Sequence, residues 1–214
     1  MPGLTDRGLK PSKKEFIEYC RQKRLSPDLA RDLGPQLLKQ KNRKKPPLIW
    51  LGTNTCAGDM LSFLNALDPD YRDFITDLVD CRYNYLTMSA LGDMASGVLD
   101  QTMAEQSGEY ILVVEGTIPL RSNGLYCVIG FRNGKPLTAL QAVRELGAGA
   151  CYVVAVGTCA CFGGPYAAAP NPTDSKSVQA VLDRQVINVP GCPINPGWMM
   201  GTLVHLLWYG EPEL

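Results

Sequence analysis

A chain of 214 residues, 45% hydrophobic and 20% charged, has the size and composition of one globular domain with a sizeable core. Its 21 basic and 21 acidic residues cancel, yet residues 1–46 carry thirteen Lys and Arg against five Asp and Glu, while the remainder carries eight against sixteen. Eight scattered cysteines exclude the disulfide framework of a small secreted domain, and with no signal-like leader and no membrane-spanning apolar run the expected setting is the cytoplasm, where thiols stay free to bind metal.

Ser12, Lys13, Lys14 and Glu15 form a capping box, which predicts a helix over 12–24. Ser26-Pro27 is a second N-cap followed by a helix-starting proline. That helix ends near Gly34-Pro35, and a third piece over 35–41 runs into the linker Lys44-Lys45-Pro46-Pro47. Residues 1–46 are therefore expected to be a basic helical extension, and 47–214 the main domain. The extension either packs on the acidic domain or docks an acidic partner. No aromatic ladder or motif supports nucleic acid. Beyond the linker, strands and helices alternate. Strands are expected over 48–52, 82–88, 110–114, 151–156 and 186–189. Helices are expected over 60–66, 70–79, 93–106, 137–146 (with Gly147 as its C-cap) and 196–208. Asn133-Gly134, between 127–129 and 136–137, signals a small hairpin. This pattern predicts an α/β fold, an open doubly wound parallel sheet with every strand-to-loop exit on one edge.

Three cysteines sit in small-residue turns where apolar runs end: Cys56 in Thr-Cys-Ala-Gly-Asp, Cys159 in Gly-Thr-Cys-Ala, and Cys192 in Pro-Gly-Cys-Pro. They lie 103 and 33 residues apart, so no local finger can hold them together; only the folded sheet can. Three thiols at one sheet edge, with glycines that let the backbone approach, suit an iron–sulfur cluster. Zinc also accepts thiolates and a carboxylate, but its sites usually include a close Cys-x-x-Cys pair, and here that spacing falls on Cys56 and Asp59. Asp59 has two readings, as a fourth, oxygen ligand or as the N-cap of the helix that follows; without its ligation a three-iron cluster with an empty corner is expected. Cys161 is the spare ligand in the same loop as Cys159. Cys127 and Cys151 read as small core residues, with Cys20 on a charged helix and Cys81 near a strand start. Glu115, at the end of an apolar strand, is either a proton-relay or partner-binding carboxylate or a surface group. His205, within an apolar helix, reads as packed or paired. No Gly-x-Ser-x-Gly elbow, Gly-x-Gly-x-x-Gly fingerprint or P-loop occurs, which argues against hydrolysis and nucleotide binding.

These residues resemble the small, electron-transferring subunit of nickel–iron hydrogenases over about 47–214. The resemblance is carried by Trp50-Leu51, Thr55-Cys56-Ala57-Gly58-Asp59 with Ser62-Phe63-Leu64-Asn65, Glu115-Gly116 with Pro119, and Gly157-Thr158-Cys159-Ala160 with Phe162-Gly163-Gly164. Asn171-Pro172-Thr173 and Asn188-Val189-Pro190-Gly191-Cys192-Pro193 with Pro196 and Trp198 complete it. It implies a flavodoxin-like fold and one proximal iron–sulfur cluster on Cys56, Cys159 and Cys192. That cluster is 4Fe-4S with Asp59 as fourth ligand, or 3Fe-4S. The resemblance further implies a large-subunit partner carrying the nickel–iron centre, in a heterodimer or a dimer of heterodimers, a second protein that accepts or donates electrons, and Glu115 near the subunit interface in proton movement. Two departures stand out. Asp59 replaces the family's second cysteine, a place where some uptake-type members without a secretion signal also carry a non-cysteine. The chain also stops at Leu214, where typical members continue into a cysteine-rich domain for the medial and distal clusters. The basic extension, outside the usual pattern, is expected to dock the large subunit or an electron partner. The iron–sulfur subunit of the complex-I-like group shares Gly-Thr-Cys and Pro-Gly-Cys-Pro, but typically shows adjacent cysteines at the first motif. A structural or assembly protein that binds metal without redox chemistry is the third reading.

Overall fold

The computed structural model describes residues 45–211; the helices expected over 12–24, 26–34 and 35–41, and Cys20, lie outside them. Five parallel strands form the central sheet: β1 (Pro47–Gly52), β2 (Asp80–Asn84), β3 (Ile111–Glu115), β4 (Tyr152–Val156) and β5 (Ile187–Val189), in the order β2-β1-β3-β4-β5. This is the flavodoxin-like order, in which the chain crosses from one side of β1 to the other. Five principal helices cover the sheet: α1 (Gly58–Phe63), α2 (Gly92–Glu105), α3 (Ala139–Gly149), α4 (Gly157–Phe162) and α5 (Pro196–Tyr209).

The apolar runs form strands because both of their faces are buried. Ile49, Leu51, Leu112, Val114, Val153 and Ala155 turn one way, onto Leu99 of α2 and Leu140, Val143 and Leu146 of α3. Leu48, Trp50, Ile111, Val113, Val154 and Val156 turn the other way, onto Met60 and Phe63 of α1 and Met199, Met200, Leu203 and Leu206 of α5. On that second face Phe63 packs on Trp50, ring centroids 5.0 Å apart, and meets Phe74 edge-on at 5.4 Å. Such pairs add about 0.5–1.5 kcal/mol beyond the area they bury.

Register sets the edge that matters. Gly52 lies opposite Glu115, Glu115 opposite Val156, and Val156 opposite Val189. Four strands therefore stop in line. Cys56 follows its strand by four residues, and Cys159 and Cys192 follow theirs by three.

Several expectations are corrected by contacts from distant segments. The second strand ends at Asn84, well short of 88, because the Asn84 side-chain oxygen accepts from Leu86 N and Thr87 N and turns the chain. The helix expected to stop at Gly147 continues to Gly149. Gly147 is a packing position: a Cβ there would lie 2.8 Å from Leu182. The end of α3 is closed by Arg184, whose guanidinium donates to Gly147 O and Ala150 O at 2.8 and 2.7 Å. The segment 70–79 becomes a short helix at Tyr71–Asp73, capped by Asp70, followed by a π turn at Phe74–Leu78. The Asn133-Gly134 hairpin forms from Val128–Arg132 and Lys135–Thr138. His205 packs against Tyr209, ring centroids 5.2 Å apart. Among the described residues no helix is long and apolar enough to cross a membrane.

Candidate iron–sulfur site

Three loops meet at the carboxyl edge. The loop after β1 is sewn to the chain after β3: Thr53 N donates to Glu115 O at 2.8 Å, and Asn54 and Thr117 exchange backbone bonds at 3.1 Å. The loops after β4 and β5 are joined by Thr158 N donating to Gly191 O at 2.7 Å. The first and third are joined twice. Ile194 N donates to Asp59 Oδ1 at 2.9 Å, and Ser62 Oγ donates to Ile194 O at 2.8 Å. Between them Cys56 and Cys192 are exposed and Cys159 is partly buried.

The sequence puts Cys159 in a loop; it stands instead in the first turn of α4, which starts directly from β4. The reversal is made by Gly157, whose φ of +83° belongs to the left-handed region. A Cβ at Gly157 would lie 1.9 Å from Asp59 Oδ2, so only glycine lets the carboxylate lie against this backbone.

Asp59 is not the N-cap of its helix. That helix starts at Gly58, Ala57 occupies the cap position with no side-chain cap bond, and Asp59 lies in the first turn, buried. Burial pushes its carboxyl up to about 6, against the bond from Ile194 and with the neighbouring charge of Glu115. Cys159 registers the whole group. Burial raises its thiol, and Cys192, Cys56, Asp59 and Glu115 all raise it further. Each of these neighbours among the described residues carries or can acquire negative charge, which is the environment a positively charged core relieves. Among the described residues no three His, Cys, Asp or Glu side chains close on a single metal ion. In an iron–sulfur cluster each thiolate takes its own iron, and the donors stand apart. Three thiols with one carboxylate are a donor set that fits such a cluster.

Glu115 is no surface carboxylate. It is fully buried and accepts five hydrogen bonds. Thr55 Oγ1 (2.8 Å) and Asp59 N (3.2 Å) reach Oε1; Trp50 Nε1 (3.1 Å), Tyr85 Oη (3.1 Å) and Met60 N (3.2 Å) reach Oε2. Two of these donors are free N–H groups of α1's first turn, so a carboxylate from β3 caps a helix 55 residues earlier. Burial and the charge of Glu115 push the Tyr85 phenol well above its ordinary range, which keeps it protonated and donating. Trp50, Thr55 and Tyr85 were missed as functional positions by sequence reasoning. Trp50 and Thr55 stood only among the residues that carry the resemblance, with no role given to either, and nothing marked Tyr85.

The remaining cysteines separate cleanly. Cys161 is buried and its thiol donates to Ala155 O at 3.3 Å, so it faces the core and is no spare ligand. Cys151, expected in the core, is exposed, because β4 begins one residue later. Cys81 and Cys127 are partly buried.

The profile of the family described as "NADH ubiquinone oxidoreductase, 20 Kd subunit" matches residues 56–206. The chain belongs to this family. It is 32% identical over 203 residues to the Hydrogenase-2 small chain of Escherichia coli (strain K12), covering 94% of this chain and 53% of the relative. It is equally identical, over 205 residues, to the periplasmic NiFeSe hydrogenase small subunit of Desulfomicrobium baculatum, covering 90% of this chain and 65% of that one. The solved reduced, active Ni-Fe-Se hydrogenase from Desulfomicrobium baculatum superposes with a TM-score of 0.73 at 35% identity, covering 77% of this chain and 64% of that one. The chain thus spans about half to two thirds of the length of these relatives. At 94% coverage, too few residues remain outside the alignment to exclude 1–46 from it; the basic segment, read above as lying outside the family pattern, is largely included.

Proposed function

We propose that this chain is the electron-transfer subunit of a nickel–iron hydrogenase. It would carry electrons between a large subunit's nickel–iron site, where hydrogen is oxidised or protons reduced, and an acceptor protein, in the cytoplasm. The observation that carries the reading is the in-line end of β1, β3, β4 and β5, which brings Cys56, Cys159 and Cys192 to one rim with Asp59 between their loops. A cluster bound there supplies reversible one-electron storage. The thiolates of Cys56, Cys159 and Cys192 would hold it. Asp59 offers Oδ2 as the fourth donor, while its Oδ1 keeps the bond to Ile194 N that closes the Cys192 loop over α1. Glu115, with both oxygens taken, anchors the Cys56 loop; we assign it to holding that loop, in place of the proton relay implied by the resemblance.

Exposed apolar side chains follow each cysteine: Leu61 after Cys56, Phe162 after Cys159 and Trp198 after Cys192. Large apolar groups around a charged rim favour a protein partner seated over the site. The likeness to hydrogenase small chains supports the large subunit as that partner.

Purification with the partner, followed by iron, sulfide and nickel analysis and electron paramagnetic resonance, tests the reading. Iron and acid-labile sulfide on this chain, with nickel on the partner, are expected. A signal in the reduced state marks a four-iron cluster and one in the oxidised state a three-iron cluster. Asp59→Cys is expected to shift the midpoint potential, and no shift removes Asp59 from the ligand set. A nickel-free partner would favour the complex-I-like relative, and a metal that cannot be reversibly reduced would leave only the structural reading.

A further inference from the structure

The five donors on Glu115 are not equivalent. Asp59 N and Met60 N belong to the backbone of α1 and cannot be withdrawn without losing the helix start. Trp50 is almost fully buried, and its ring is half of the Trp50–Phe63 contact. Thr55 both donates to Glu115 and accepts from Ala57 N at 3.0 Å, so it shapes the Cys56 loop itself. Tyr85 differs. It comes from the short segment after β2, the edge strand, and its ring lies across Gly52, where a Cβ would come within 2.6 Å of the ring. That strand end admits the ring only because it is glycine. What the ring delivers is its hydroxyl, 3.1 Å from Glu115 Oε2, the oxygen shared with the Trp50 indole.

We propose that Tyr85 is a positioning residue that sets the reduction potential of the cluster by trimming the negative charge that Glu115 presents to it. The proposal rests on the reading of Cys56, Cys159 and Cys192 as cluster ligands. A donor hydrogen bond draws charge from a carboxylate toward the donor, and in a water-poor interior the remaining charge acts over several ångströms. Glu115 acts on this site, since its side-chain Oε1 accepts from the backbone N–H of Asp59 and from Thr55 Oγ1, next to Cys56. An added electron is repelled by a nearby anion. Cluster potential therefore falls as Glu115 loses donors and rises if its charge is removed. Tyr85 is the donor that can be deleted with the least disturbance, because Tyr85→Phe keeps the ring over Gly52 and removes only the hydroxyl.

The test is a redox titration followed by electron paramagnetic resonance on the full chain purified with its partner. Wild type, Tyr85→Phe and Glu115→Gln are compared, with iron and sulfide content and thermal unfolding measured on each. The expected result is opposite signs: Tyr85→Phe lowers the midpoint potential and keeps wild-type iron content, while Glu115→Gln, which also loosens the Cys56 loop, raises the potential in the fraction that loads. A purely structural role would give losses of iron and stability with no ordered pair of shifts. If Glu115→Gln does not assemble, Tyr85→Phe alone decides. An unmoved potential in a fully loaded Tyr85→Phe protein, or an upward shift, overturns the proposal while leaving the cluster reading intact. Wild-type protein without iron and sulfide overturns both.

Discussion

The two ends of the parallel sheet solve opposite electrostatic problems. At the amino end the surplus is in carbonyl oxygens, from the last turn of α3 and the start of β4. Arg184 meets it with one guanidinium on Gly147 O, Ala150 O and, at 3.1 Å, Cys151 O, while Tyr110 Oη donates to Leu146 O at 2.5 Å. At the carboxyl end the surplus is in groups that carry or acquire negative charge: Cys56, Cys159, Cys192, Asp59 and Glu115. Among the described residues the groups that act on the Cys159 thiol are Cys192, Cys56, Asp59 and Glu115, and burial and these neighbours all push it upward. One end is neutralised from within the fold, and the other is left acidic and partly open. The difference teaches where the chain spends stability and where it keeps a site: a fold that can place an arginine across three carbonyls at one end leaves the thiols at the other end for an external positive charge.

This contrast breaks most sharply at Gly157. Gly157→Ala puts a side chain at φ +83° and a Cβ 1.9 Å from the Asp59 carboxylate. The backbone strain is worth roughly 1–3 kcal/mol, and the overlap must push Asp59 off the Ile194 N–H. Iron content of the purified complex should collapse, with a lower unfolding midpoint. Gly134→Ala is the control, since it also forces a positive φ, at +73°, but meets nothing within 4 Å. It should cost about 1–2 kcal/mol and no iron. Equal iron loss in both variants would mean that backbone strain in general, and not the carboxyl edge, governs loading.

What could be read from sequence follows the same division. The strands 48–52, 110–114 and 151–156 were legible because they are buried on both faces, which demands unbroken apolar runs, and their alternation with helices then fixed one exit edge. That Cys56, Cys159 and Cys192 would share one edge was legible because each follows an apolar run in a turn of small residues. The supports of the site were not. Glu115 takes its donors from residues 30 to 65 positions away; nothing local marks Tyr85, and nothing local in Trp50 shows that its indole reaches Glu115. The end of α3 was misplaced for the same cause: Gly147 looks like a stop, yet the true end depends on Leu182 and Arg184 beyond the next strand. The six-residue α4 went unseen because its start is a left-handed glycine, a feature of backbone geometry rather than of apolar period.

Arg184→Ala attacks the neutralised end. Removing one guanidinium strips donors from three carbonyls, and a part-buried acceptor left without its partner costs about 1–3 kcal/mol. Urea unfolding should register that loss. Some re-solvation is expected, because the Cys151 bond lies at the surface, which favours the lower half of the range. The cluster signal and iron content should not change, because the affected carbonyls lie at the opposite ends of the strands from the thiols. If iron falls with Arg184, the two ends are coupled through the sheet and the contrast fails.

Tyr110→Phe is the finest probe of that end. Its phenol is buried and donates a short bond to Leu146 O, within the last turns of α3. Burial lifts the phenol to about 12, so it stays protonated through any ordinary buffer and Arg184 lowers it only in part. The variant keeps the ring and loses one neutral hydrogen bond, worth about 0.5–1.5 kcal/mol, and that loss should be the same at pH 6 and pH 9. Combined with Arg184→Ala, the two changes act on one set of α3 carbonyls, and neighbours that share partners do not add. A double variant less destabilised than the sum of the two singles is therefore expected. Strict additivity would show that Arg184 and Tyr110 close the helix end independently, and would dissolve the single neutralising device on which the contrast between the two ends relies.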